Sequence, residues 1–507
     1  MSREEQIINE KKRKLIELGK KGINPYAYKF DVKDYSSEIK EKYNKLKNNQ
    51  KSKDKVIIAG RVMTVRDLGK LIFSTIQDSR GKIQIILQQG EINKENFELF
   101  KKYIEAGDFV GCEGTVMKTK TGEISILVKK LELLTKSILP LPEKWHGIQD
   151  KEERYRKRYL DLIMNPEVKK VFEKRTKVLE TIREFLKSKG FEEVETPYLQ
   201  AIYGGANAKP FKTKINALDM ELFLSISPEL YLKRLIVGGY DKVFTISRNF
   251  RNEGIDRWHN PEFTMMEIYQ AYADYNDMMD LFEDIYVYVL KKVNGSTKVK
   301  FRDKIIDFKK PWRRMTMRQA IKECINIDIE KKTDKELLDF AKKNNIEVKH
   351  KTWGWAVQDI FEHFCEEKIE QPVFILDHPL ETTPLCKEHR YDKLHRLIER
   401  FEPFCMGSEL GNAYSELNDP VLQRQLLEEQ QKALKKGDEE ANPLDEDFIN
   451  AIETGMPPTG GLGLGIDRMM MFITGQDSIR DVILFPFMKP EEKKEKDEEE
   501  KTKTNNK

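Results

Sequence analysis

The segment from Phe250 to Tyr272, FRNEGIDRWHNPEFTMMEIYQAY, holds two arginines, three glutamates, an aspartate and a histidine in a stretch that otherwise alternates like a β-hairpin. Because alternate residues of a strand point to one face, Arg251 and Glu253 share a face where the first strand ends. An antiparallel return would add three side chains to that surface: Phe263, Glu267 and Tyr269. Arginine binds phosphate and an aromatic ring stacks on a base, so this surface predicts a nucleotide site rather than a hairpin with merely solvated charges.

A second segment, TGGLGLGIDRMMMFITG from Thr459 to Gly475, alternates glycine with large apolar residues before a helical pattern begins. Gly461, Gly463 and Gly465 leave one strand face without side chains, so a flat ligand can lie against the backbone. Arg468 follows at the helix N-terminus, where phosphate is already favoured. The glycines recur every two residues and no βαβ unit precedes them, so this is not a dinucleotide-binding fingerprint. The alternative is a glycine strand needed for close packing.

A third segment, ELGNAYSELNDP from Glu409 to Pro420, places polar and acidic residues on one face of a predicted strand. The residues on that face are Asn412, Tyr414 and Glu416, and Glu402 lies shortly upstream. Several carboxylates near a triphosphate would hold Mg²⁺ by one or two oxygens each. Taken singly, each of these glutamates resembles an ordinary surface residue.

A fourth segment, SPELYLKRLIVGG, has the signals of a short helix. Ser227 is the predicted N-cap, Pro228 the first helical residue, and Gly238 with Gly239 the stop. Glu229 lies in the first turn, where an acid complements the helix dipole. A structural role therefore accounts for Glu229 when the segment is considered alone.

The elements that precede these segments predict a small β-barrel. Between Val56 and Leu134 the chain alternates apolar and polar residues in about five short strands, which is typical of an OB-fold. We assign residues 55–136 to this domain. Residues 1–54 form a basic extension, in which sparse apolar positions predict one exposed helix followed by a loosely ordered linker.

A larger α+β domain is predicted over residues 150–490, after a proline-punctuated linker. Its first long helix has Asn165 as N-cap, Pro166 in the first turn and Gly190 as the stop. A Lys- and Glu-rich stretch at about 295–350 is interpreted as a helical insertion. The charge run over residues 491–507 lacks apolar content, which predicts a disordered tail.

The whole chain has the composition of a globular protein. Its 507 residues are 39% hydrophobic and 35% charged, and its formal charge of +4 does not by itself indicate nucleic acid. The five cysteines include no CxxC pair, which predicts free thiols in a reducing compartment. No signal peptide and no long apolar run are present. We therefore expect a cytoplasmic protein without a membrane segment.

The four segments, in this order behind a small barrel, resemble the class II (subclass IIb) lysyl-tRNA synthetases. FRNEG with HNPEFT matches the family's motif 2, NAYSELNDP its signature, and GLGLGIDR its motif 3, while GFEEVETP resembles motif 1. The sequences HIGH and KMSKS of class I synthetases are absent. The resemblance covers residues from about 55 to 490. It implies an N-terminal OB-fold β-barrel followed by an α+β catalytic domain built on an antiparallel sheet.

The resemblance also implies roles for matching residues, with Arg251, Glu253 and Arg468 as the catalytic set. The implied ATP contacts are Arg251, Asn252, Glu253, His259, Asn260, Phe263, Glu409, Leu410, Gly465, Ile466, Asp467 and Arg468. The implied lysine contacts are Gly205, Glu229, Glu267, Tyr269, Asn412 and Glu416. Glu402 and Glu409 resemble the ligands of Mg²⁺. In the barrel, Phe73, Gln84 and Glu123 resemble the residues that read the anticodon.

The resemblance implies L-lysine, ATP and a lysine tRNA as partners, Mg²⁺ as cofactor and a homodimer, since the proline of motif 1 lies at the family's dimer interface. The chemistry agrees, because a carboxylate attacking the α-phosphate needs positioning and cations rather than a general base. An aspartyl- or asparaginyl-tRNA synthetase is the nearest competing hypothesis, although Glu229, Glu267 and Glu416 favour a cationic side chain. A noncatalytic RNA-binding paralogue and an enzyme that lysylates protein are two further hypotheses.

Overall fold

The structure is a computed structural model that describes residues 2–142, 150–392 and 394–490. The chain divides into two compact units, Met1–Ile148 and Gln149–Lys507. The predicted tail at 491–507 and most of the predicted linker lie outside the described residues. Among the described residues, no helix is long and apolar enough to cross a membrane.

The first unit is an OB-fold, as predicted. Its strands close a barrel in the order β1-β2-β3-β5-β4, and a helix connects β3 to β4. Tight turns such as Asp78–Gly81 join the strands, with Asp78 N–H donating to Gly81 O at 2.9 Å. The elements are α1 (Arg3–Lys20), α2 (Ser36–Lys42), β1 (Lys51–Asp67), β2 (Leu71–Gln77), β3 (Lys82–Gln88), α3 (Lys94–Tyr103), β4 (Phe109–Lys118) and β5 (Ile124–Thr135).

The prediction for the N-terminal extension is wrong in part, because its residues belong to the barrel unit. Leu18 of α1 and Ile39 of α2 are buried and join the barrel core, whereas Ile7 and Ile16 of α1 remain exposed. Lys11 is also buried, and its Nζ donates to Ala106 O at 3.1 Å and to Ser137 Oγ at 2.8 Å. The first barrel strand begins at Lys51, inside the predicted extension. Helix α1 is thus largely exposed, as predicted, but it contacts the barrel through a few buried residues.

The second unit begins with three helices and continues with alternating strands and helices. Pro166 starts its longest helix and Asn165 is the N-cap, as predicted. The elements are α4 (Lys151–Arg156), α5 (Arg158–Met164), α6 (Pro166–Ser188), β6 (Glu192–Glu193), β7 (Leu199–Gln200), β8 (Lys212–Ile215), β9 (Met220–Leu224), α7 (Glu229–Val237), β10 (Lys242–Phe250), β11 (Glu262–Ala271), α8 (Tyr275–Asn294), β12 (Lys298–Phe301), β13 (Lys304–Asp307), β14 (Arg313–Thr316), α9 (Met317–Ile325), α10 (Asp334–Lys343), α11 (Trp353–Phe364), β15 (Val373–Leu376), β16 (Arg400–Cys405), β17 (Ser408–Glu409), β18 (Gly411–Ser415), α12 (Pro420–Lys435), α13 (Glu446–Gly455), β19 (Thr459–Gly465), α14 (Ile466–Thr474) and α15 (Ile479–Val482).

A large sheet organises this unit in the order β14-β15-β16-β18-β19-β11-β10-β6, with β17 paired to β16. Its pairs are antiparallel except β14 with β15 and β10 with β6, which confirms the predicted α+β domain on an antiparallel sheet. The strands of the four segments are neighbours. Gly463 of β19 lies opposite Glu267 of β11 on one side and Asn412 of β18 on the other.

The two faces of this sheet have different surroundings. One face carries Phe244, Ile268 and Leu464, which are buried in the main hydrophobic core against helices α6, α8 and α14. Because strand residues alternate, Glu267 lies on the opposite face with Gly461, Gly463 and Gly465 of β19. Strand alternation therefore directs the apolar residues to the core and the polar residues to the cavity described below.

The predicted helical insertion at 295–350 is wrong in its first part. Residues 298–307 form the hairpin β12–β13, and β14 joins the large sheet, so helix begins only at Met317. Buried Val299 and Phe301 alternate with exposed lysines, which is a strand pattern. The high lysine content of this stretch therefore reflects the solvated face of short strands as well as helices.

Candidate active site

A cavity of about 310 Å³ lies over the polar face of the sheet, and it is lined by residues of all four segments. Of the residues predicted to bind ATP, lysine or metal in this unit, all except Asn252 and Ile466 line it. Asn252 is exposed, and its backbone N–H donates to Lys209 O at 2.8 Å. Ile466 is buried in the core because the first turn of α14 turns it away. One cavity thus collects residues that are far apart in the sequence.

At one end of the cavity two arginines approach from different segments. The guanidinium carbon of Arg251 lies 5.1 Å from the centre of the Phe263 ring, and Arg251 Nε is buried without a hydrogen-bond partner in the described structure. Arg468 Nη1 donates to Glu409 O at 2.6 Å, and its Nη2 contacts His259 Nε2 at 3.1 Å. This end offers positive charge beside an aromatic face, which suits a nucleotide.

The loop between β10 and β11 has an ordered end near these arginines. His259 Nδ1 lies 2.8 Å from Asp256 Oδ2, which leaves its Nε2 to accept from Arg468. Asn260 Nδ2 donates to Glu262 O at 2.6 Å, so Asn260 braces the start of β11. Glu253 lines the cavity from an exposed position. The loop therefore supplies polar groups while part of it stays open to solvent.

Asp467, which the sequence placed among the ATP contacts, joins two segments of the site. Its Oδ2 accepts from Thr264 N at 2.7 Å, and its Oδ1 lies 2.6 Å from Arg175 Nη1. Arg175 Nη2 in turn donates to Thr264 Oγ1 at 2.9 Å. Both carboxylate oxygens are thus engaged by protein, so Asp467 holds α14 against β11 and positions Arg468.

The other end of the cavity is acidic and buried. Glu267 accepts from Ser227 Oγ at 2.7 Å and from Tyr269 OH at 3.3 Å. Burial raises the pKa of Glu267 to about 8, and the nearby Glu229 carboxylate adds to the effect. A buried carboxyl group with a raised pKa releases its proton readily when a cation binds beside it, because the cation favours the carboxylate form.

The glycines of β19 make room for these acids. A Cβ on Gly461 would overlap Glu416 Oε1 and the Tyr269 ring, and one on Gly463 would overlap the end of Met265. Gly205 has a φ of +87°, and a Cβ there would lie 2.9 Å from Glu229 Cβ. The bare strand face is therefore occupied by acidic and aromatic side chains from neighbouring elements, which is why the pocket needs glycine.

The sequence analysis missed two buried cations in the cavity region. Lys233 on α7 is paired with both Glu229 and Glu416. Arg400 on β16 donates to Asn412 Oδ1 at 3.0 Å and is also paired with Glu402. The spacing of Glu229 and Lys233 by four residues was the available signal for the first, because such residues meet on a helix. Arg400 had no comparable local signal.

The two residues predicted to bind Mg²⁺ lie on neighbouring strands of the large sheet. Glu402 lies on β16 and Glu409 on β17, and burial together with the Glu402 charge raises the pKa of Glu409. A cation between two such carboxylates would relieve their repulsion. Within the described residues, no group of three or more His, Cys, Asp or Glu could hold a metal ion. The pair therefore fits a Mg²⁺ that also takes oxygens from phosphate and water.

The barrel unit has its own groove of about 550 Å³, which is lined by Phe73 and Gln84 together with Arg66 and Lys120. Ser125 Oγ donates to Gln84 Oε1 at 2.9 Å. Glu123 does not line the groove, and its carboxylate accepts from Lys40 Nζ at 3.1 Å. An aromatic ring, an amide and cations in one groove suit single-stranded nucleic acid.

Comparison with known proteins agrees with both units. Residues 150–489 match the family model described as tRNA synthetases class II (D, K and N), and residues 56–134 match that of the OB-fold nucleic acid binding domain. A lysine–tRNA ligase of Methanoculleus marisnigri is 51% identical over 478 residues, which is 94% of either chain. The lysine–tRNA ligase of Thermosipho africanus is 49% identical, and the match covers 96% of either chain. That of Clostridium novyi is 50% identical, and the match covers 96% of this chain and 94% of the relative.

The ion pair between Asp467 and Arg175 predicts that substitution of Asp467 lowers the stability of the protein. Asp467→Ala leaves the partly buried Arg175 without its carboxylate, so we expect the free energy of unfolding to fall by about 3 kcal/mol. Urea denaturation of the purified protein measures this change. Glu173→Ala removes an exposed ion pair with Lys169 and should change stability by less than about 0.5 kcal/mol. Equal effects of the two variants would contradict the bracing role.

Proposed function

Given that this chain belongs to the class II tRNA synthetases of the D, K and N group, we propose that it activates L-lysine with ATP to lysyl-adenylate and then transfers lysine to the 3′ end of a lysine tRNA in cytoplasmic translation. The single observation that carries the choice of lysine is the buried cluster of three acids at one end of the cavity, Glu229, Glu267 and Glu416. The relatives of about 50% identity named lysine–tRNA ligase support it.

The first step joins the lysine carboxylate to the α-phosphate and releases pyrophosphate. The attacking carboxylate is ionised at neutral pH, so the site contributes position and positive charge rather than a base. Arg251 has a buried Nε that is free to donate to the α-phosphate or the carboxylate, and Phe263 offers its ring to adenine. Arg468, held by Glu409 and by its helix position, would meet the γ-phosphate.

Mg²⁺ belongs to this proposal as the cofactor that neutralises developing charge on the phosphates when bound. Glu402 and Glu409 would hold it. Glu402 is fixed by Arg400 and Glu409 is fixed by Arg468, so both carboxylates are oriented before ATP arrives. A neighbouring cavity of about 220 Å³ adds Glu362 and Glu366, which make this side of the site strongly acidic. Such a field favours a divalent cation.

The acidic end of the cavity supplies the amino-acid specificity in this proposal. Lysine carries two ammonium groups, and the acceptors available to them are Glu229, Glu267, Glu416 and the hydroxyl of Tyr269. An uncharged side chain would leave buried carboxylates unpaired, which costs about 1–3 kcal/mol or more for each. Aspartate would add a negative charge to this set. The same cluster therefore argues against the two other amino acids of the group.

For tRNA recognition we propose the barrel groove. Phe73 would stack on an anticodon base, and Gln84 would read a base edge. Glu123 lies outside the groove and is paired with Lys40, so a direct role for it would require that ion pair to open. Phosphate contacts from Arg66 and Lys120 would add affinity without sequence preference.

We also propose that the protein forms a homodimer through the region that follows the motif 1 proline. The small sheet β7-β9-β8 and the turn beside it expose a set of large apolar side chains: Tyr198, Leu199, Leu218 and Met220. Several large apolar side chains exposed on one small sheet of a globular protein are typical of an interface. The resemblance to motif 1 points to a second copy of this chain as the occupant.

Lysine-dependent exchange of pyrophosphate into ATP tests the proposed reaction. The purified protein with Mg²⁺ should catalyse exchange with lysine and not with aspartate or asparagine. Arg251→Ala should lower the rate about 10²- to 10³-fold, because it removes charge stabilisation of the phosphoryl group. Arg248→Ala, which removes an exposed arginine that does not line the cavity, is the matched control. Folded protein without exchange for any of the three amino acids would refute the proposal.

Two adjacent glycines of β19 provide a test of the lysine pocket. Gly461→Ala should raise the KM for lysine about 10- to 100-fold with little change in the KM for ATP, because the methyl group displaces Glu416 and Tyr269. Gly460→Ala places its methyl group on the other face, 3.0 Å from Met278, and should cost stability without changing the KM for lysine. Steady-state kinetics and thermal unfolding separate the two, and a raised KM for lysine in Gly460→Ala would argue against this pocket.

Sedimentation velocity tests the proposed dimer. At micromolar concentration the wild-type protein should sediment with twice the 59.6 kDa mass of one chain. Leu218→Asp places a charge in the apolar set and should shift the protein towards monomer. Ile16→Asp changes a similarly exposed apolar residue of the barrel unit and should leave the mass unchanged. A monomeric wild-type protein would overturn this part of the proposal.

A further inference from the structure

Lys233 is a charged residue with no exposed side-chain surface at the acidic end of the cavity. It lies on α7, one turn after Glu229, and its Nζ donates to Glu229 Oε1 at 2.6 Å. The same ammonium forms an ion pair with Glu416. Its third neighbour is the carbonyl oxygen of Leu385 at 3.5 Å. Lys233 therefore connects two of the three acids that the proposed function assigns to lysine.

A buried ion pair is weak evidence for a stabilising role, because removing charges from water costs much of what their attraction returns. An apolar residue on α7 would fill the same space at no such cost. Glu416 has a further peculiarity, since its two carboxylate oxygens are buried and make no hydrogen bond of good angular geometry in the described structure. Its one charged partner there is Lys233. The arrangement leaves Glu416 with unused acceptor capacity directed into the cavity.

The charges at this end of the cavity can be counted. Glu229, Glu267 and Glu416 contribute −3 when ionised, and Lys233 contributes +1, which leaves −2. The two ammonium groups of a lysine contribute +2. The substrate carboxylate is left for Arg251 at the other end of the cavity. Without Lys233, the three ionised acids would hold one negative charge in excess of the ligand.

We propose that Lys233 is a positioning residue that orients Glu229 and Glu416 and favours their ionised forms, and that sets the net charge of the ionised pocket to match an amino acid with two ammonium groups. The inference rests on the proposed lysine activation and adds the group that tunes its specificity. Lys233 itself need not touch the substrate. It acts through the two carboxylates that it holds.

The titration behaviour of the cluster agrees with this role. Burial alone lowers the pKa of Lys233, but the charges of Glu229 and Glu416 outweigh it and raise that pKa above its usual value, so Lys233 stays protonated. Burial raises the pKa of Glu416 to about 8, and the Lys233 ammonium opposes that rise. The other groups that face Glu416 are Glu229, Glu267, Tyr269, Tyr414 and Cys386. Lys233 is thus the cation in this set, and its loss would move the ionisation of Glu416 to higher pH.

The principal test compares Lys233→Met with wild type in lysine-dependent ATP–pyrophosphate exchange. We expect the KM for lysine to rise about 10- to 100-fold, while kcat at saturating lysine and the KM for ATP change by less than about threefold. Between pH 6.5 and 8.5, kcat/KM for lysine should rise with pH in both proteins as the acids ionise. The rise should lie at higher pH in Lys233→Met. Lys233→Arg should retain part of the wild-type affinity.

A matched control separates this role from the general cost of losing a buried lysine. Lys136 of the barrel unit is also fully buried and is paired with Asp108. Lys136→Met should reduce stability and leave the KM for lysine and its pH profile unchanged. If Lys233→Met also loses stability but keeps the wild-type KM and pH profile, the role of Lys233 is structural and the inference is wrong.

Chemical rescue provides a second test that does not depend on Lys233→Met. Lys233→Ala removes three methylene groups and the ammonium, which is the size of propylammonium. Added propylammonium should lower the KM for lysine in Lys233→Ala, whereas n-propanol should not. The same additions to the wild-type protein measure how far propylammonium competes with lysine for the pocket. Rescue by both compounds would show that only volume matters and would overturn the inference. Absence of lysine-dependent exchange in wild type would instead refute the proposed function.

Discussion

The second unit depends on one constraint: every charge buried in the cavity must meet an opposite charge or a hydrogen-bond partner, since an isolated buried ion is costly. The described structure meets this constraint for Asp467 with Arg175 and for Glu402 with Arg400. It meets it only in part for Glu416, and Arg251 Nε has no partner. These two incompletely satisfied groups lie at opposite ends of the cavity. A ligand with a carboxylate or phosphate at one end and an ammonium at the other would give Arg251 Nε an acceptor and Glu416 a second cation.

The sheet provides the geometry in which this constraint operates. Antiparallel pairing sets Asn412, Gly463 and Glu267 side by side, and strand alternation sends Leu464 and Ile268 to the core behind them. A shift of one residue in the pairing register would exchange the residues that face the cavity with those that face the core. The hydrophobic core therefore fixes which polar side chains face the ligand, and helix α14, braced by Asp467, carries Arg468 to the same cavity.

Much of this arrangement was predictable from sequence, because ordered motifs and strand alternation are local patterns. The barrel, the antiparallel sheet and the family follow from them, and most of the expected site residues line one cavity. Other features depend on tertiary contacts. Lys233 gains its importance from Glu416, which is far along the chain, Arg400 from a contact with Asn412 on the neighbouring strand, and Glu123 is paired with Lys40 outside the groove. The strands at 298–316 were hidden because exposed lysines dominate short segments, whose few buried residues give little periodic signal.

The bare face of β19 has a consequence for changing what the pocket accepts. A wall made of backbone has no side chain to shorten, so mutations at Gly461 or Gly463 can only take space away. Any enlargement for a longer or bulkier amino acid must come from neighbouring elements, such as β11, where Tyr269 and Met265 have atoms to remove. Redesign of this pocket is therefore asymmetric: substitutions on β19 can only narrow it, and widening it requires smaller side chains on the neighbouring elements.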